Sequence, residues 1–145
     1  MRDAAVSAGP VQDSEEGSVL LLTLGYVLLA FAVIAVCVCA TDLYLSQKRL
    51  DALADSAALA GADGFTLVLA DDTIRADLSD EGVRAQAIEL LEALPGDARL
   101  IDAGTPDGVS ARVTVETAWH PPLFSLFVPD GVALRSTATS RTALQ

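Results

Sequence analysis

The sequence predicts an α+β chain. A long N-terminal helix begins as a membrane span and continues into a small domain made of one further helix and an antiparallel sheet of three or four strands. Three observations carry this. The run GSVLLLTLGYVLLAFAVIAVCVCAT, Gly17 to Thr41, has no charged residue. From Thr41 onward there is neither proline nor glycine before Gly61, so nothing stops a helix that has crossed the lipid. Residues 109–119 then alternate apolar with polar, the period of a half-buried strand.

A chain of 145 residues with one such apolar stretch leaves room for a single modest domain outside the membrane. Residues 1–13 read as a short disordered N-terminus, 14–41 as the transmembrane helix, 42–62 as its extramembrane continuation and 63–145 as the α+β domain. At 1.5 Å per residue the uncharged run reaches roughly 37 Å, more than the hydrocarbon core requires. A cleaved signal peptide is the rival reading, with Val38-Cys39-Ala40 as its small-residue site. The flank speaks against it, because Arg2 stands among Asp3, Asp13, Glu15 and Glu16 where a signal has a basic leader. The run is also longer than the usual apolar region of a signal, so we read a retained anchor. Asp13 and Glu16 have capping-box spacing, which sets the helix start near Ser14.

Cys37 and Cys39 are the only cysteines. Two positions apart on a helix they project about 200° from each other, so they cannot pair within the chain and are read as apolar packing in lipid. The topology rule counts Arg2 on one side of the span against Lys48 and Arg49 on the other, which by itself favours a cytoplasmic C-terminus.

Beyond the span, Leu43, Leu50, Leu53, Ala57 and Ala60 recur at helical spacing, with Lys48, Asp51 and Asp55 on another face, and Gly61 and Gly64 end the helix. This stripe must bury against something. It packs on the chain's own domain, or it docks a neighbouring subunit through Leu50, Leu53, Ala54, Ala57, Ala60 and Gly61, whose small members let another backbone come close.

In the remainder, FTLVLA (65–70) is a short strand or a last helical fragment, and DDTIRADLSD is an acidic loop. Ser79 or Asp80 caps a helix over EGVRAQAIELLEAL with Val83, Ala87, Leu90, Leu91 and Leu94 on one face, ended by Pro95-Gly96. ARLIDA and VSARVTVETAW are strands, the second with Val109, Ala111, Val113, Val115, Thr117 and Trp119 alternating with Ser110, Arg112, Thr114, Glu116 and Ala118. DAGTPDG joins them as a hairpin, and VALRSTATSRTAL is the last strand. The connecting segment WHPPLFSLFVPDG carries Leu123, Phe124, Leu126, Phe127 and Val128. It reads as core cover over one end of the sheet, with a membrane surface or a partner's groove as the functional alternative.

No constellation of catalytic groups is present. His120 is the only histidine, and the serines 110, 125, 136 and 140 lack any nucleophile context. The acids Asp71, Asp72, Asp77, Asp80 and Glu81 do not have the spacing of a calcium loop. We therefore expect no enzyme, no cofactor, no metal and no small-molecule substrate. The net charge of −11 and scattered basic residues exclude a nucleic-acid footprint.

The order of these features resembles the N-terminal region of TadE/TadG-like proteins of tight-adherence (Flp) pilus assembly systems. The matching positions are Gly17 and Ser18 before the span, Asp42 at its exit, and Asp55, Ala57, Ala58, Leu59, Ala60 and Gly61 in the block after it, within residues 14 to 62. The tail, with its alternating strand, Pro-Phe-Leu loop and Ala/Thr-rich last strand, is similar to small TadE-like proteins of high-GC Gram-positive bacteria. The resemblance implies a pilin-like fold and a single-pass protein of the plasma membrane, its N-terminus cytoplasmic and its domain outside, against the basic-residue count. It also implies other pilin-like or secretion-machine membrane proteins as partners beside the lipid bilayer. A prepilin-peptidase site is not met, since the residue five beyond Gly17 is Leu22. The expectation is thus an anchored, minor-pilin-like accessory component, and the alternative is a membrane-tethered binding module that captures an external ligand.

Overall fold

The computed structural model describes residues 13–70 and 73–141, with side chains of 13–16, 68–70 and 73–76 excluded. It is an α+β arrangement in the order α1 (Asp13–Asp63), β1 (Thr66–Ala70), β2 (Thr73–Asp77), α2 (Asp80–Ala93), β3 (Arg99–Gly104), β4 (Ser110–Trp119) and β5 (Val132–Arg141). The expected disordered N-terminus and the Asp13–Glu16 capping box lie outside the described residues and side chains. The chain divides into two compact units at Val38/Cys39.

In the first unit every described side chain from Gly17 to Val38 is exposed except Ala35, which is half-buried. α1 contains the one stretch among the described residues that is long and apolar enough to cross a membrane. A helix apolar on all sides has no preferred face for a small aqueous domain, which is the pattern of a segment solvated by lipid.

The second unit is built on the three-stranded antiparallel meander β3-β4-β5. Against one face of it lie Leu50, Ala54, Ala57, Ala58 and Ala62 of α1 and Val83 and Ala87 of α2, all buried together with Ala111, Val113 and Val115 of β4. Leu134 and Ala138 of β5 and Ala103 of β3 complete this layer. The largest fully buried side chains are valines, Val83, Val113 and Val115. Stability therefore comes from close approach of small residues rather than from a few large anchors.

α2 starts as its sequence requires. Ser79 is extended (φ −113°, ψ 149°) and its Oγ accepts from the Gly82 N–H at 3.1 Å, while Asp80 and Glu81 sit in the positive first turn. It stops where Pro95 forces Leu94 into the extended region, and Gly96 follows with φ +149°. Val83 and Ala87 are buried and Leu90 and Leu91 half-buried, but Leu94 is exposed because it already lies beyond the last turn.

Two expectations are corrected. The segment read as an acidic loop contains β2, which pairs with β1 from Thr66↔Asp77 to Ala70↔Thr73. The β-branched Thr73 and Ile74 outweigh the local acidity. Val109, expected as the first residue of the alternating strand, lies ahead of β4 and is exposed, because the hairpin extends through it. There Asp107 Oδ1 accepts from the N–H groups of Val109 (3.1 Å) and Ser110 (2.6 Å), and Gly108 takes φ +75°.

Candidate helix interface and the end of the domain at Asp42

The sense in which β4 crosses α1 positions everything that follows. A Cβ built on Gly61 would stand 3.3 Å from the Ala111 Cβ at the start of β4, whereas Asp42 meets Trp119 at its end. β4 thus runs opposite to α1, and β5 runs back alongside it, with Gln47 Nε2 donating to the Arg135 carbonyl (3.3 Å) and Ser136 Oγ to Asp51 Oδ1 (2.8 Å).

The six residues read as contact positions fall on this packed face. Leu50, Ala54 and Ala57 are buried, Gly61 is buried, and Leu53 and Ala60 are half-buried at its margins. Gly61 permits a close approach, since a Cβ there would lie 2.9 Å from Val83 Cγ1. The chain's own sheet and α2 occupy the surface that these residues offer. The opposite side of α1 in this unit exposes Tyr44, Leu45 and Leu59.

Among the motif positions, Gly17 and Ser18 are exposed in the first unit and Asp55 and Leu59 are exposed in the second. Asp42 is half-buried, and its Oδ2 accepts from Trp119 Nε1 at 2.7 Å. This bond joins the first turn of α1 in the domain to the last residue of β4. An open groove of about 660 Å³ runs beside it, lined by Arg49, Leu53, Leu94, Ala98 and Trp119 among others.

Two charged clusters were not anticipated. Asp51 Oδ1 accepts from Ser136 Oγ and from Gln47 Nε2 (3.0 Å), and its Oδ2 pairs with Lys48 (3.2 Å). The Ser136 hydroxyl, aided by Gln47 and Lys48, holds the Asp51 carboxyl below its ordinary range. On the outer face of the sheet, Arg99, Glu116 and Arg135 stand directly opposite one another on β3, β4 and β5. Glu116 receives Arg99 on Oε1 and Arg135 on Oε2, the latter at 2.7 Å, and these guanidinium groups, Arg99 first, lower its pKa. Both clusters tie neighbouring elements together, Asp51 joining α1 to β5 and Glu116 joining β3 to β5 across β4. The sequence signal was present only in register. Once β3, β4 and β5 are aligned, an acid flanked by two arginines in one row is a cross-strand ladder.

The segment 120–131 departs from the core-cover expectation. Pro121 is buried, but Leu123 is 55%, Leu126 93% and Phe127 81% exposed.

The segment that carries the motif positions matches a known family model. Residues 17–64 match the Tad family, described as "Putative Flp pilus-assembly TadE/G-like". The match extends from the start of the uncharged run to the end of α1, so it includes both Asp42 and the packed Leu50–Gly61 face, and it leaves the elements after α1 unmatched. No curated protein and no solved structure matches the chain.

Proposed function

We propose that this protein is a non-enzymatic, membrane-anchored, minor-pilin-like component of a Flp pilus or related secretion apparatus. In this reading the span holds it in the plasma membrane and the α+β domain lies outside the cytoplasm. The observation that carries the proposal is the TadE/G-like match over residues 17–64, which coincides with an all-round apolar helix segment. A helix apolar on every side can meet lipid and other transmembrane helices with equal ease, and Gly25, whose added Cβ would meet nothing within 4 Å, leaves room for close approach. Neighbouring pilin-like or secretion-machine helices are its partners, met through the span and through the outer side of α1 at Tyr44, Leu45 and Leu59. The Leu50–Gly61 face contributes by rigidly holding the helix on its domain.

A second reading, a membrane-tethered module that binds an external ligand, is favoured by one observation: the small-residue face is covered by the chain's own sheet. Photocrosslinking in the native host separates the two. A probe at Leu29 or Leu59 is expected to give adducts with pilin-like or secretion membrane proteins, while a probe at buried Ala57 gives only intramolecular products. Efficient incorporation at 29 and 59 with no adduct to any such protein would refute the assembly role in favour of the tethered module.

A further inference from the structure

We infer that the loop between β4 and β5, residues 120–131, is a membrane-interface wedge: Leu123, Phe124, Leu126 and Phe127 rest in the lipid surface from which α1 emerges. The inference rests on the membrane anchoring proposed above, and the occupant it assigns to the loop is lipid.

The loop's position follows from the domain alone. Trp119 and Val132 are the last register pair of β4 and β5, and Trp119 is held on Asp42. Along β5, Ser136 lies at Asp51 and Arg135 at Gln47, so passage toward Val132 is passage toward the start of the domain's helix. The loop therefore leaves the sheet at the end where Cys39, Ala40 and Thr41 lie, which are the last residues of the uncharged run. The chain enters lipid through the same end of the domain that displays the loop.

The loop is also shaped for that place. Successive turns close it, with Phe124 N–H donating to the Pro121 carbonyl (3.2 Å), Phe127 N–H to Phe124 (2.9 Å) and Gly131 N–H to Val128 (3.1 Å). Its return requires glycine, because Gly131 has φ +69° and a Cβ there would lie 2.8 Å from the Trp119 carbonyl oxygen. Ordered turns hold the apolar side chains outward instead of letting them fold back. Phe124 and Phe127 stack obliquely, with ring centroids 6.5 Å apart. A contiguous aromatic and leucine surface held at the exit of a span has the composition of an interfacial anchor. The ionisable groups lining the grooves beside the loop are Asp42, Arg49, Asp97, Arg99, Glu116, His120 and Asp130, with Arg99 paired to Glu116; they make no basic cluster, so attachment is by apolar insertion and does not require anionic lipid.

The test uses the full chain with Cys37→Ala and Cys39→Ala, reconstituted in phosphatidylcholine liposomes. A single spin label is placed at Ser125→Cys, Thr139→Cys or Leu28→Cys, and its accessibility to oxygen and to a water-soluble nickel chelate is measured by electron paramagnetic resonance. The expected result is a lipid-like ratio at 28, a water-like ratio at 139, and at 125 a ratio several-fold above that at 139. Adding Leu126→Asp and Phe127→Asp should return position 125 to the value at 139 without moving the domain's unfolding midpoint. Lipid-like 28 with water-like 125 overturns the wedge and leaves the anchor standing. Water-like 28 overturns the anchor and the wedge with it. A label at 125 exposed in pure lipid but shielded in native membranes gives the loop to a protein partner and also overturns the inference.

Discussion

Replacing Gly61 by alanine adds one methyl group where α1 packs closely on α2. The new Cβ would stand 2.9 Å from Val83 Cγ1 and 3.3 Å from the Ala111 Cβ. Carbon atoms prefer about 3.5 to 4.0 Å, so one of these elements must move by more than half an ångström. Neither yields easily, because Val83 and Ala111 are fully buried and a valine on a helix has few rotamers. Overpacking of this kind costs about 1–3 kcal/mol. Alanine recovers at most about 1 kcal/mol of helix propensity, and less here because Gly61 lies in the last turn of α1. The clash wins, and the net loss is about 1–2 kcal/mol. For a domain of roughly 100 residues each kcal/mol moves the midpoint by about 4–8 °C, so Tm should fall by roughly 5–15 °C. The assay is thermal unfolding of the full chain in nanodiscs, followed by the fluorescence of Trp119, the only tryptophan. Gly25→Ala is the control and should leave that transition unmoved. A Tm for Gly61→Ala equal to or above the parent would refute the packing of this face on α2 and return Gly61 to the surface available to another subunit.

Two further outcomes follow from the polar contacts. Asp42→Ala should remove the acceptor for the Trp119 indole, destabilise the domain by about 1–2 kcal/mol and alter the Trp119 emission spectrum, whereas Asp42→Asn, which keeps a carbonyl oxygen in place, should restore most of both. Acid should weaken the domain. Asp51, Asp107 and Glu116 are all lowered, chiefly by the Ser136 hydroxyl, the Ser110 hydroxyl and Arg99 respectively. A depressed carboxylate stabilises the fold fully above its unfolded value and loses that contribution as pH drops through the folded one, so the decline begins below about pH 4. Urea midpoints measured between pH 7 and pH 3 check this. The fall should be shallower in Glu116→Gln, and a midpoint indifferent to pH would count against all three contacts.

The helix, its exit from the apolar run and the three-stranded meander were legible because each rests on a short-range period. Uncharged length marks the span, spacing by threes and fours marks Leu50–Ala57, and alternation marks β4. Features that depend on which strand lies beside which were not legible. The Arg99–Glu116–Arg135 row spans positions scattered over 37 residues and exists only after two registers are set. β2 was missed because its acidic neighbours disguised a strand that only pairing with β1 stabilises. Asp42 stood out as a motif position, yet its partner Trp119 is 77 residues away and no local pattern links them. The loop 120–131 was misread for a different reason. Apolar density argues for burial, yet the turns of this loop leave Leu126 and Phe127 outside the core, and lipid covers them only in the membrane-anchored reading proposed above.

The packed face also limits how this protein can take part in an assembly. Leu50, Ala54 and Ala57 are buried against strands of the same chain, so a neighbour could reach them only by displacing the sheet. A core whose largest fully buried residues are three valines has little free energy in reserve for that exchange. Subunit contacts in the proposed role therefore draw on surfaces that folding leaves free: the apolar span and the Tyr44, Leu45 and Leu59 side of α1. Small residues in the TadE/G-like segment then have two separable duties. Those from Ala54 to Gly61 let a helix lie close on its own sheet, and Gly25 permits close approach within the span. Substituting the first set should lower the domain's stability before it alters association, and enlarging Gly25 should do the reverse.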